Sequence, residues 1–341
     1  MTVRCDVEPS RDRSQRAAAP TALAVTAIMA MGLAVAAPTP AAQQGAAAPG
    51  SAPAASTSPR EFPSPEEAVE ALITATRASD LPALLAILGP LGAKLVHSGD
   101  PVADREGRER FTAAYDRAHR IERDESRQAV LLVGEEGWPL PIPLVHDRAG
   151  WHFDTQAGEQ QILDRRVGRN ELNVIEVCRA YVQAQREYAD LETRSGGKPQ
   201  YAQHFMSHAG QRDGLYWPVK GDEPQSPLGP LVAQARGEGY ASESPGGKPR
   251  PYYGYYYRIL TRQGAHAPGG ARSYIASDGR MTGGFALLAY PAVYGNSGIM
   301  TFIVNQNGIV REKNLGPQTQ AVAHAMSEYD PDASWRIALD H

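Results

Sequence analysis

The sequence predicts an α+β fold: helices on a small antiparallel sheet, then a long helix packed on an antiparallel β-meander. Three observations carry this expectation. Residues 64–119 repeat apolar side chains at helical spacing. Residues 159–191 take up that spacing again over a longer stretch. Residues 251–315 place β-formers in short runs cut by Gly, Pro and Asn, the pattern of antiparallel strands.

The first 42 residues read as a secretory signal peptide. Arg4, Arg11, Arg13 and Arg16 precede the apolar run Thr21–Ala37, and small residues follow, with Ala34-Val35-Ala36 or Pro40-Ala41-Ala42 as the cleavage site. The run is shorter than the ~20 residues a span needs. The mature chain is therefore expected to lack a membrane span and to be exported to the periplasm or beyond the cell. Residues 43–62 are rich in Ala, Pro, Ser and Gly, and read as a disordered linker, because they bury too little area to offset chain entropy.

An N-terminal α+β domain is expected over 63–157. Ser64 caps its first helix, with Pro65 in the first turn and Glu67 completing a capping box. Asp80 starts a second helix that Gly89-Pro90 stops. A third runs over about Asp104–His119, with Phe111, Ala114, Tyr115 and Ala118 on one side. Strands follow at Gln128–Val133, Trp138–Val145 and Gly150–Asp154. Proline at 139, 141 and 143 makes the middle one an edge strand or an extended loop. This layout resembles the cone-shaped nuclear-transport-factor-like (cystatin-like) domains over Ser64–Asp154.

The C-terminal domain is expected over 158–341. A helix at Glu159–Val167 precedes a longer one, Glu171–Leu191, capped by Asn170. Short helices are read at Leu228–Arg236 and Gln318–Glu328, with Trp335 docking the tail. Asn307-Gly308 predicts a type I′ turn joining Ile299–Gln306 to Ile309–Leu315. The first of these strands is nearly all apolar and is expected to be covered on both faces. The second is charged and reads as a solvated edge.

The formal charge is −4, and residues 1–42 carry four arginines and three acids, so the remainder carries −5. Such a balance gives no reason to expect a nucleic-acid partner. Only Cys5 and Cys178 occur. Loss of the signal leaves Cys178 alone among Val174, Ile175, Val177 and Tyr181, as a small buried hydrophobe.

The strings DGLYWP, YYGYYYRILTRQG, GGFALLAYPAVYG, SGIMTFIVNQNG and YDPDASW together resemble a bacterial family known only as domain of unknown function twenty-nine-fifty. The resemblance runs from about Ser64 to the C-terminus. It implies a secreted envelope protein and supplies no activity or catalytic residues. RNELNVIEVCRAYVQAQREYA followed by GYYYRILT and FALLAYPAVYGNSGIMTFIVNQNGIV is similar to the globular part of type IV pilin and pseudopilin subunits. Gly298, Phe302, Val304, Gly308 and Val310 stand where those proteins carry their closing hairpin motif. The resemblance implies the fold and not filament assembly, because residues 159–171 are charged where pilins are continuously apolar.

No motif of catalysis is present: no Gly-x-Ser-x-Gly elbow, no phosphate-binding loop, no His-Glu-x-x-His and no zinc-spaced Cys pair. No catalytic residue, metal site or cofactor is assigned. His204 and His208, spaced i and i+4, would share a face in a helix, with Asp213 as a conceivable third ligand, but read as solvated loop histidines. His146 and His152 flank a turn with Asp147 and Asp154, and read as paired polar residues rather than a general base.

Tyr253, Tyr255 and Tyr257 are expected on one strand face and Tyr252 and Tyr256 on the other. With Arg258 and Arg262 they form the candidate binding surface. The leading expectation is a non-enzymatic envelope protein that contacts a protein or glycan there. A second reading is an enzyme or small-ligand carrier with a pocket in the first domain lined by Tyr115, His146, Trp151 or His152. A third is a pseudopilin-like assembly subunit.

Overall fold

The structure, a computed structural model, describes residues 58–338 except 125, 126, 220, 222, 224 and 241–248. The expected signal peptide and most of the linker lie outside the described residues.

Ser64 caps α1 (Pro65–Arg77) as expected, its hydroxyl accepting the Glu67 N–H at 3.2 Å. Helices α2 (Leu81–Leu88) and α3 (Gly92–Val96) follow. Next, α4 (Pro101–Arg117) begins earlier than the expected Asp104, because Asp100 supplies the cap and Pro101 occupies the first helical position. A five-stranded antiparallel sheet packs on these helices. Its strands are β1 (His119–Arg123), β2 (Gln128–Val133), β3 (Trp138–Pro139), β4 (Leu144–His146) and β5 (Trp151–Phe153). Of charged β1 only His119 was expected, as the end of a helix, and the strand pairs with β2 along its whole length. The Pro-rich stretch is not one strand. β3 and β4 both pair with β2, but their registers differ by two residues, and 140–143 bridge the slip. Phe62, Leu72, Ile87, Leu131, Leu144 and Phe153 fill one core.

The largest departure from expectation is α5 (Thr155–Arg194), a single 40-residue helix. At 1.5 Å per residue it is about 60 Å long. Asp154 caps it, and Asn170 caps nothing. Asn170 is buried in mid-helix, where its Nδ2 donates to the Ser297 carbonyl at 2.9 Å. A polar side chain that reads as punctuation is instead satisfied by a distant strand connection. The first third of α5 flanks the first core, and Val174–Tyr188 enters a second.

That second core lies under a meander. Parallel β6 (His204–Met206) and β7 (Gly214–Tyr216) come first, then α6 (Gly229–Gly237). β8 (Tyr255–Leu260), the short pair β9 (Arg262–Gln263) and β10 (Arg272–Ser273), β11 (Ala286–Pro291), β12 (Met300–Asn305) and β13 (Arg311–Asn314) follow. After α7 (Thr319–Ala325), β14 (Arg336–Ile337) completes the main sheet in the order β14-β13-β12-β11-β8. Glu171 on α5 fixes the helix to this sheet, its Oε1 accepting the N–H groups of Ile299 and Met300, both at 2.8 Å.

Strand β12 is covered as its apolar run requires. β13 is not an edge, because β14 pairs with it and Trp335 docks the tail. The Asn307-Gly308 turn is not type I′. Only Gly308 takes positive φ (77°), its N–H bonds to the Asn305 carbonyl at 2.8 Å, and Asn305 Oδ1 accepts the Asn307 N–H. This places Gly308 at the left-handed position of a longer hairpin loop. Both central residues at positive φ occur instead at Tyr253 (51°) and Gly254 (75°), closed by reciprocal backbone bonds between Tyr252 and Tyr255.

Candidate functional site

Helix α4 shows where the fold leaves space. It has 17 residues and none is buried, although Ala103, Gly107, Phe111 and Ala114 make an apolar stripe at helical spacing. That stripe lines a cavity of 1090 Å³, with Phe111 and Ala114 only partly buried against the first core. Leu72 and Thr76 of α1, Leu84 and Leu88 of α2, and Leu95 and Val96 at α3 form its floor. Val133, Leu140 and Ile142 of the sheet, with Ile162 of α5, form the facing wall. Such a volume lies just above the ~300–1,000 Å³ common for small-molecule sites.

The mouth is polar and rich in guanidinium. Arg110 and Arg117 reach it from α4, and Arg165, Arg166 and Arg169 from α5. Several of these are engaged. Arg110 pairs with Glu106 at 3.2 Å, and Arg166 donates to the carbonyls of Lys94 and Leu95 and to Asn296 Oδ1. Arg117, Arg165 and Arg169 have no carboxylate at ion-pair distance among the described residues. Desolvation, and then the like charge of Arg110, holds Arg169 below its ordinary pKa. Desolvation lowers Arg166 as well. Arg169 therefore offers partly desolvated positive charge with no carboxylate beside it among the described residues, which favours an anion.

The acids of the same rim are largely occupied. Asp104 accepts the Ser98 N–H at 3.0 Å, and Glu136 accepts the Trp138 indole N–H at 2.7 Å. Glu238 accepts the Tyr253 hydroxyl at 2.7 Å through Oε1. Its buried Oε2 receives no donor among the described residues and is an open acceptor on the wall.

Residues 59–338 match the family model described as Protein of unknown function (DUF2950). The chain belongs to this family. No curated protein and no solved structure matches it.

In this DUF2950 protein the tyrosines read from sequence separate. Tyr253 leaves the strand at the turn and lines the cavity beside Glu238. Tyr255 is fully buried, its hydroxyl donating to the Met300 carbonyl at 2.9 Å. Tyr257 bonds inward to the Tyr252 carbonyl at 3.3 Å. The single face expected for Tyr253, Tyr255 and Tyr257 therefore does not form, because positive φ at Tyr253 and Gly254 breaks the alternation. Arg258 donates to the carbonyls of Ala323, His324 and Met326 and so closes the C-terminal end of α7, while Arg262 pairs with Glu328 at 3.2 Å.

Nor do Tyr115, His146, Trp151 and His152 line the cavity. Tyr115 stacks on His119 at 3.7 Å and lines a separate, smaller cavity against α1, and His146 meets Trp151 edge-on. His152 Nδ1 lies 3.8 Å from Asp147, beyond hydrogen-bond reach, and Asp147 Oδ1 holds the Ala149 N–H. Asp154 is taken by the α5 cap. Cys178 is buried and its thiol is pushed up to about 12 by desolvation, which leaves no nucleophile there.

The residues expected for a pocket do not line the cavity beneath α4, because its walls come from α1 to α5 and the sheet at once. The legible signal was the α4 stripe itself. His204, His208 and Asp213 do come together, on β6 and the turn after it rather than on a helix.

Proposed function

We propose that this DUF2950 protein is an exported binding protein that holds an anionic amphiphile in the cavity beneath α4, acting by binding rather than by turnover. The observation that carries the reading is a 17-residue helix with no buried residue beside an apolar-walled cavity of 1090 Å³, lined also by Arg165 and Arg169, which have no carboxylate at ion-pair distance among the described residues. The walls suit an alkyl or similar apolar tail. Arg165 and Arg169 suit a carboxylate or phosphate head, which a guanidinium binds through paired N–H donors. The signal-like N-terminus supports export, and the missing catalytic motifs agree with carriage.

The reading is tested by calorimetric titration of the mature chain with dodecanoate, decanoate and dodecyltrimethylammonium. Each methylene moved from water contributes about 0.8 kcal/mol. Dodecanoate is expected to bind one to one, and decanoate roughly ten- to twenty-fold more weakly. The cation of the same chain length is expected not to saturate. Equal binding of the anion and the cation, or no saturable binding of either fatty acid, contradicts the reading.

A further inference from the structure

A second constellation sits apart from the cavity. The ligand atoms of His204, His208 and Asp213 all lie within 4.8 Å of one another, with both histidines exposed. The two imidazoles meet edge-on with centroids 5.0 Å apart. From the geometry we propose that these three side chains bind one late first-row divalent cation, with Zn²⁺ as the representative ion. Two imidazoles and a carboxylate are a donor set that such ions favour over Mg²⁺ or Ca²⁺, which prefer all-oxygen surroundings.

The backbone holds the donors in place before any ion arrives. β6 and β7 run parallel, so residues 207–213 must turn back within a short loop. The Ser207 N–H bonds to the Tyr216 carbonyl at 2.8 Å, and Ser207 Oγ accepts the Gly214 N–H at 3.0 Å. Tyr188 of α5 anchors the loop by donating to the Arg212 carbonyl at 2.9 Å. A side chain at 214 would meet Met206 and Ser207 backbone atoms at 2.6–2.7 Å, so only glycine lets the two strands approach this closely. That approach carries Asp213 to the histidines.

Asp213 Oδ1 accepts the His208 backbone N–H at 2.9 Å, and Oδ2 stands 2.5 Å from His208 Nδ1. One carboxylate thus fixes both the loop and the ring. Because Asp213 and the His208 ring are already held together, capture of the ion costs less side-chain entropy than from three free side chains. Three protein ligands leave at least one position for water or a further ligand.

The test uses the tag-free, metal-stripped mature chain titrated with Zn²⁺ against a chromophoric chelator, with Cu²⁺ and Mg²⁺ as parallel arms. One equivalent of Zn²⁺ is expected, Cu²⁺ is expected to bind at least as tightly, and Mg²⁺ is expected not to compete. His204→Ala, His208→Ala and Asp213→Asn should each weaken Zn²⁺ at least ten-fold, with melting of the metal-free variants as the folding control. Imidazole ¹⁵N spectra of the unaltered protein give a readout that needs no variant, since the His204 and His208 resonances should shift at one equivalent. Absence of stoichiometric Zn²⁺ and Cu²⁺ binding, unmoved imidazole resonances, or a His204→Ala/His208→Ala protein with unchanged affinity would overturn the proposal.

Discussion

The carboxylate of Asp100 accepts the backbone N–H of Gly254 at 2.9 Å across 154 positions of sequence. The same oxygen accepts the Tyr240 hydroxyl at 2.8 Å, while Oδ1 caps α4 through the N–H groups of Val102 and Ala103. One buried side chain therefore starts the helix that roofs the cavity and fixes the turn that presents Tyr253 to it. Asp100→Ala removes the cap and strands two buried donors. It is expected to cost about 3–5 kcal/mol, measured by urea unfolding. A loss below about 1 kcal/mol would show that the helix and the turn hold without it.

Burial raises the pKa of Asp100 above 3.8, and desolvation outweighs the four hydrogen bonds that lower it. For an acid shifted upward, the folded state binds the proton more tightly than the unfolded chain. Its contribution is therefore present in full below 3.8 and is withdrawn as pH rises through the folded value. Exposed carboxylates such as Asp278 and Asp332 are shifted downward and give the opposite slope, so a difference measurement is needed. The unfolding free energy of the wild type minus that of Asp100→Asn is expected to fall as pH climbs above 3.8. A difference that stays flat or rises contradicts the assignment.

At the cavity mouth, reversing charge separates the head-group contact from the tail contact. Arg165→Glu with Arg169→Glu is expected to weaken dodecanoate by ten-fold or more, as loss of charge-assisted hydrogen bonds entails. Binding of dodecanol is expected to stay within two-fold. Equal losses for the acid and the alcohol would mean that the arginines shape the mouth without meeting the ligand.

Much of the fold was legible because it rests on local chemistry. Ser64 announces α1, and the apolar run Met300–Val304 announces a covered strand. The α5 break at Asn170 was misread because an asparagine in the chain looks alike whether it caps a helix or donates to Ser297. The turn at Tyr253-Gly254 was hidden by the strand preference of tyrosine, which Gly254 and the Asp100 bond override. The α4 stripe was legible, but the cavity it lines was not. Phe111 and Ala114 show the same helical spacing whether the space opposite is filled or empty, and only the distant Leu72, Ile142 and Ile162 decide which. His204 and His208 were named from spacing, but their meeting with Asp213 depends on the close approach at Gly214.

The cavity itself can be closed from its roof. Ala114 faces it from α4, so Ala114→Trp would fill the space an apolar tail occupies. Calorimetric titration of dodecanoate into the wild type and this variant, with melting curves alongside, is the most direct measurement. One equivalent bound by the wild type, at least ten-fold weaker binding by the variant and an undiminished melting temperature are the expected result. Equal affinity in the two proteins would place the ligand elsewhere and contradict the assignment of the cavity.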